Sequence, residues 1–198
     1  MKEIEITVKC YNSLDEADKI LKSKGFKIKE SYQLNDIYMK KSTQKLCKRN
    51  ILKVLSNSIL IRDIICVDHE NKMLTYKKKE YKNGKVTSEE KFNIKIDDID
   101  NAYKFFLQIG FEKLVDVKSR LTVYEKDDYE ICFQNVENLG LLIEVEDKSN
   151  YNNVSNEEII KIKKQMVKEV KKYGLKVSND YDIKKAYELI KKELLWKQ

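Results

Sequence analysis

The sequence predicts an α+β domain: an antiparallel sheet made of two related halves, each with one helix on its outside. Three observations carry that prediction. Apolar and charged residues alternate at Glu3-Ile4-Glu5 and again at Glu144-Val145-Glu146, the period-two pattern of a strand. Cap and turn residues punctuate the apolar runs between them. Finally, Leu14-Asp15-x-Ala17 through Gly25-Phe26 matches Ile99-Asp100-x-Ala102 through Gly110-Phe111 at a constant offset of 85, which also sets Glu5 on Glu90.

The elements follow in order. A first strand holds Ile4, Ile6 and Val8 on one face and Glu3 and Glu5 on the other. Ser13-Leu14-Asp15-Glu16 is a capping box opening a helix that carries Leu14, Ala17, Ile20 and Leu21, and Gly25 stops it. Extended segments are expected at 26–40, 44–55, 58–67 and 72–82, then a hairpin turn at Asn83-Gly84 and a strand at 85–96. Asp97 or Asp98 opens a second helix, closed by Gly110, and strands at 112–125, 128–136 and 140–147 finish the sheet. A second capping box, Ser155-Asn156-Glu157-Glu158, starts a helix with the stripe Ile159, Ile162, Met166, Val170 and Tyr173. The last helix runs through Ile183, Tyr187, Ile190 and Leu194.

Composition narrows the function. The 198 residues suffice for one large domain with a sizeable core, and 41% hydrophobic content fits a soluble protein. No run has the length of a membrane span and no signal-peptide pattern is read at the start, so a cytoplasmic location is expected. Four scattered cysteines without C-x-x-C spacing read as reduced thiols. The net charge of +7 is carried by lysines spread along the chain, a solvated face first and an attraction for anions second. Five glycines, at 25, 84, 110, 140 and 174, build neither a P-loop nor a G-x-G-x-x-G turn, so any phosphate must be held by side chains.

The polar strand faces supply those side chains. Arg62 shares a face with Leu60 and Ile64, and Lys77 with Thr75 and Lys79. Lys118, Arg120, Thr122 and Tyr124 share another, and Glu130, Cys132 and Gln134 lie opposite Tyr129, Ile131 and Phe133. Basic and acidic rows together suit a polyphosphate with divalent cations: arginine and lysine neutralise phosphate oxygens, and carboxylates hold a hard ion. His69, in a turn, reads as a surface residue, and Cys132 as space-filling.

In this order, Glu3-x-Glu5, Asp36-x-Tyr38, Ile61-Arg62, Leu74-Thr75-Tyr76-Lys77, Glu89-Glu90, Lys118-x-Arg120-x-x-x-Tyr124, Leu139-Gly140 and Glu144-x-Glu146 resemble the CYTH superfamily. That group unites class IV adenylyl cyclases, thiamine triphosphatases and inorganic triphosphatases. Tyr173-Gly174-Leu175 and Ala186-Tyr187-Glu188-Leu189 are most similar to the class IV cyclase-like branch. The resemblance covers nearly the whole chain. It implies an eight-stranded antiparallel β-barrel tunnel within a single domain, 1–198, with tunnel strands and two helices over 1–148 and a C-terminal helical pair over 154–198. It further implies Mg²⁺ or Mn²⁺ held by Glu3, Glu5, Glu144 and Glu146. Lys9, Arg62, Lys77, Lys118, Arg120 and Tyr124 would bind the substrate, with Lys77 and Arg120 also acting on the transition state.

The departures are specific. Thr7 replaces an expected lysine, Leu60 an arginine, and Ser88 and Phe92 fall in the strand patterned R-x-E-x-E. Gln134 stands where the family has a metal-binding aspartate. Each lost charged hydrogen bond removes roughly 1.5–3 kcal/mol of phosphate binding. The expected partner is a triphosphate-containing small molecule, with neither membrane nor nucleic acid, and the protein a monomer or homodimer. Water attacking the terminal phosphorus would give a phosphohydrolase, and a ribose 3′-hydroxyl attacking the α-phosphorus a cyclase. The alternative is a tunnel that retains its anion site without turnover.

Overall fold

A computed structural model describes residues 4–82, 85–147, 149, 151 and 154–196. Eight strands form an antiparallel sheet: β1 (Ile4–Lys9), β2 (Lys27–Lys41), β3 (Asn57–Ile65), β4 (Glu70–Lys82), β5 (Lys85–Lys95), β6 (Phe111–Lys126), β7 (Tyr129–Val136) and β8 (Gly140–Asp147). Five helices flank them: α1 (Leu14–Ser23), α2 (Ile51–Leu55), α3 (Ile99–Gln108), α4 (Asn156–Lys172) and α5 (Lys185–Trp196). The strand order is β1-β8-β7-β6-β2-β3-β4-β5, and no pairing joins β1 to β5 among the described residues. The chain divides into two units, one of residues 1–31 and 120–183 and one of 32–119 and 184–198.

In the first unit Ile4, Ile6 and Val8 of β1, Ile131 and Phe133 of β7 and Ile143 and Val145 of β8 form one apolar face. Ala17 and Leu21 of α1 and Met166 and Val170 of α4 cover it, as the predicted stripes require. Each such aliphatic residue contributes roughly 1.5–3 kcal/mol by leaving water. Leu14 is the exception in its stripe, since it sits exposed in the first turn of α1. Both capping boxes form: the Glu16 and Glu158 N–H groups donate to Ser13 and Ser155 Oγ, and each glutamate accepts from the cap N–H. Residues 176–183 run along β1 without being a named strand. Ser178 N–H donates to Lys9 O, Thr7 N–H to Tyr181 O and Ile183 N–H to Thr7 O, at 2.9–3.0 Å. Ile183 therefore belongs to this edge, and the last helix starts only at Lys185.

In the second unit Met39, Ile61 and Phe106 anchor a core completed by Ile37, Leu74, Ile99 and Tyr103. Asp98 is the cap of α3, its Oδ1 accepting from Asn101 N–H at 3.0 Å. The extended segment expected at 44–55 is not a strand. Asn50 folds it back by accepting from Cys47 N–H and donating to Lys45 O. Ile51, Val54 and Leu55, spaced i, i+3, i+4, then bury one side of the short helix α2. The Asn83-Gly84 turn lies outside the described residues. The repeat survives as β1-α1-β2 and β5-α3-β6, with Gly25 at φ +87° and Gly110 at φ +85° ending the two helices.

Candidate active site

Glutamates line one face of the first unit because β1 and β8 turn their aliphatic residues to the opposite side. The pairing sets Glu5 directly across from Glu146, Thr7 across from Glu144, and Lys9 across from Leu142. On the other side of β8, Cys132 is opposite Glu144 and Gln134 opposite Leu142. Glu5, Glu144 and Glu146 thus share a face, with Glu144 half-buried and the other two exposed. Glu3 lies outside the described residues.

Carboxylate oxygens of this kind suit Mg²⁺ or Mn²⁺. Directly opposed strand residues have Cβ atoms about 5 Å apart, within reach of one ion for two glutamate side chains. No group of three His, Cys, Asp or Glu side chains is gathered into a metal cluster among the described residues. Gln134 is 1% exposed and its row is closed by the fully buried Leu142, so the carboxylate row gives way to an apolar floor on that side.

Of the predicted basic residues in this unit, Lys9 is exposed on the Glu5 face, one pairing step beyond Thr7–Glu144. Arg120 is exposed between buried Ser119 and Leu121. Tyr124, expected to touch substrate, is instead a core residue with 2% exposure. Its ring packs 4.8 Å from that of Phe133, and its hydroxyl donates to Asp18 Oδ1 of α1 at 2.6 Å. Burial and that carboxylate both push the phenol up from its ordinary range. Alternation carries Tyr124 to the same side of β6 as Arg120, but at Tyr124 that side is already covered.

The second unit holds Arg62, Lys77 and Lys118. Asp36 on β2 pairs directly with Arg62 on β3. Arg62 Nε donates to Asp36 Oδ1 at 2.6 Å and Nη2 to Oδ2 at 2.7 Å. Burial works against the guanidinium charge, yet the Asp36 carboxylate more than offsets it and holds Arg62 above its ordinary pKa. Leu60, where the family has an arginine, is fully buried against Thr75. Lys77 is half-buried on the Thr75 face, and Lys118 is exposed on β6.

The register of β5 corrects one reading and adds a residue. Glu90 pairs with Lys78, Phe92 with Tyr76 and Ile94 with Leu74, a core residue, so Glu90 and Phe92 lie on the core side. Glu5 lies on the side away from its core, and the equivalence of Glu5 with Glu90 fails. Lys91 is opposite Lys77, and Asn93 is opposite Thr75, whose hydroxyl donates to Asn93 Oδ1 at 2.9 Å. Lys91 was missed, although the alternation Phe92, Ile94 against Lys91, Asn93 is legible in the sequence.

No family model matches the chain. A protein of Methanocaldococcus jannaschii named "Putative adenylate cyclase" is 29% identical over 191 residues, 94% of this chain and 97% of that one. Solved structures share this fold. A Pyrococcus horikoshii protein gives a TM-score of 0.72 at 20% identity, covering 96% of this chain and 99% of that one. A Hippeastrum protein described as a putative adenylyl cyclase with a dominant triphosphatase activity gives 0.61 at 14%, covering 97% and 96%. No helix among the described residues is long and apolar enough to cross a membrane.

Proposed function

We propose that the protein is a divalent-metal-dependent enzyme acting on a triphosphate-containing substrate. One observation carries the reading: Glu5 stands directly opposite Glu146, with Glu144 on the same face. Three carboxylates on one strand face offer the oxygen ligands that a hard divalent cation prefers. Glu5, Glu144 and Glu146, with Glu3, would hold the ion, which when bound supplies Lewis-acid polarisation of phosphoryl oxygens. Arg62 and Lys77 bind phosphate oxygens and stabilise the charge that moves between them in the transition state. Lys118 and Arg120 share the Tyr124 side of β6, the core side rather than the glutamate face, and take no part in this. Lys91 joins Lys77 in binding phosphate. The adenylate cyclase name of the archaeal relative and the triphosphatase activity of the Hippeastrum protein support the same substrate class.

The test is turnover of ATP, thiamine triphosphate and tripolyphosphate with Mg²⁺ or Mn²⁺, assayed for both phosphate and cyclic AMP. Turnover is expected, and Glu144→Ala should reduce it by roughly 100-fold or more. Turnover equal to wild type in Glu144→Ala would sink the reading. A second reading, binding without turnover, is favoured by the amide of Gln134 in place of a carboxylate and by the buried Leu60 in place of an arginine. It predicts that tripolyphosphate binds by calorimetry while no product forms with any of the three substrates.

A further inference from the structure

We infer that Asp36 is a positioning residue that fixes the Arg62 guanidinium for bidentate capture of a phosphate group. The inference rests on the triphosphate reading above and concerns contacts within the second unit alone. A guanidinium carries five N–H donors in a rigid plane. Asp36 takes the side-on pair, Nε and one hydrogen of Nη2, at 2.6 and 2.7 Å. The end-on edge remains: two hydrogens on Nη1 and one on Nη2, which make no hydrogen bond among the described residues. That edge presents two parallel donors, the arrangement that grips two oxygens of one phosphoryl group.

Exposure within the pair supports this division of labour. The Asp36 side chain is 5% exposed and that of Arg62 is 20% exposed, so the carboxylate is sealed and the cation is the reachable member. A pair that served only to stabilise the fold would have no reason for that asymmetry, and an apolar pair could serve as well. Strand geometry adds to it. Asp36 and Arg62 are direct cross-strand partners, so the carboxylate is delivered from a fixed backbone rather than from a loop. With the fork locked, less side-chain entropy is lost when an oxyanion docks. The motif Asp36-x-Tyr38, noted in the sequence without a role, acquires one through Arg62.

Positioning and charge predict opposite signs. A carboxylate beside a phosphate site repels the ligand, so on charge alone Asp36→Asn should tighten binding. On positioning it should weaken it. Binding of inorganic tripolyphosphate with Mg²⁺ is measured by calorimetry on wild type, Asp36→Asn, Asp36→Glu, Arg62→Lys and the double variant Asp36→Asn/Arg62→Lys, each with its melting temperature. Asp36→Asn should bind at least about tenfold more weakly, and Asp36→Glu, which keeps the charge but moves the fork, several-fold more weakly. Because lysine has no fork to hold, Asp36→Asn should change affinity less than about twofold in the Arg62→Lys background. Equal or tighter binding by folded Asp36→Asn, or by Asp36→Glu should the former not fold, overturns the inference while leaving the triphosphate reading intact. Equal losses in both backgrounds overturn it too. Absence of binding by wild type overturns the reading itself, and the positioning role with it.

Discussion

Across the β1–β8 pair of the first unit Glu5 faces Glu146, whereas across the β2–β3 pair of the second Asp36 faces Arg62. The geometry is the same, direct cross-strand opposition in an antiparallel ladder, and the charge logic is reversed. Opposed carboxylates repel one another and offer their oxygens to a cation. A carboxylate locked onto a guanidinium lowers the energy of the folded chain, provided neither partner is removed. On the proposed function, metal binding falls to one strand pair, and stability together with phosphate positioning falls to the other. Mutations should separate them cleanly.

The largest effect on stability should come from breaking the satisfied pair. Asp36→Ala leaves a largely buried guanidinium uncompensated and should cost about 3 kcal/mol in urea unfolding. A loss under 1 kcal/mol would mean that water already solvates the pair. Next comes Tyr124→Phe, which removes the hydrogen bond to the Asp18 carboxylate at a cost of about 1.5 kcal/mol and leaves triphosphate turnover unchanged. Burial pushes the Asp18 carboxyl up, but the Tyr124 hydroxyl and Lys22 together bring it below the usual carboxylate range. Its contribution is therefore present above the ordinary aspartate pKa and is lost as pH falls through the depressed value. The gap between wild type and Tyr124→Phe should shrink in acid; a gap that widens there would contradict the assignment. The smallest effect has the opposite sign. Glu146→Gln relieves like-charge repulsion and should stabilise the metal-free protein by on the order of a few tenths of a kcal/mol at low salt. Saturating Mg²⁺ should then reverse the order of melting temperatures, because only the wild type gains by binding the ion. An order unchanged by Mg²⁺ would argue against Glu146 as a ligand.

Much of the architecture was legible locally. Period-two alternation located the eight strands, and Ser13 and Ser155 announced two helices whose capping boxes form as read. The segment around 51–55 was missed because five residues of mixed apolar pattern fit either period, and the deciding hydrogen bonds belong to Asn50. Residues 176–183 were missed because a chain that pairs through isolated bridges carries no alternation of its own. At the site, the face shared by Glu5, Glu144 and Glu146 could be read from each strand separately. Tyr124 could not, since its partners Asp18 and Phe133 come from other elements. Pairing register is a long-range property, which is why Asp36 acquired a role only when β3 was laid beside β2.

The partners of β1 come late in the chain. Glu5 meets Glu146, and the backbone of Thr7 meets Tyr181 and Ile183. During synthesis β1 must therefore wait, unpaired on both edges, until β8 and the segment after α4 have been made. The second unit has its sheet residues, 32–119, in one continuous stretch. Contacts separated by so much chain close slowly and leave their strands open to wrong partners in the interval. The acidic face is thus assembled only after the segment carrying Arg62 and Lys77 has been made.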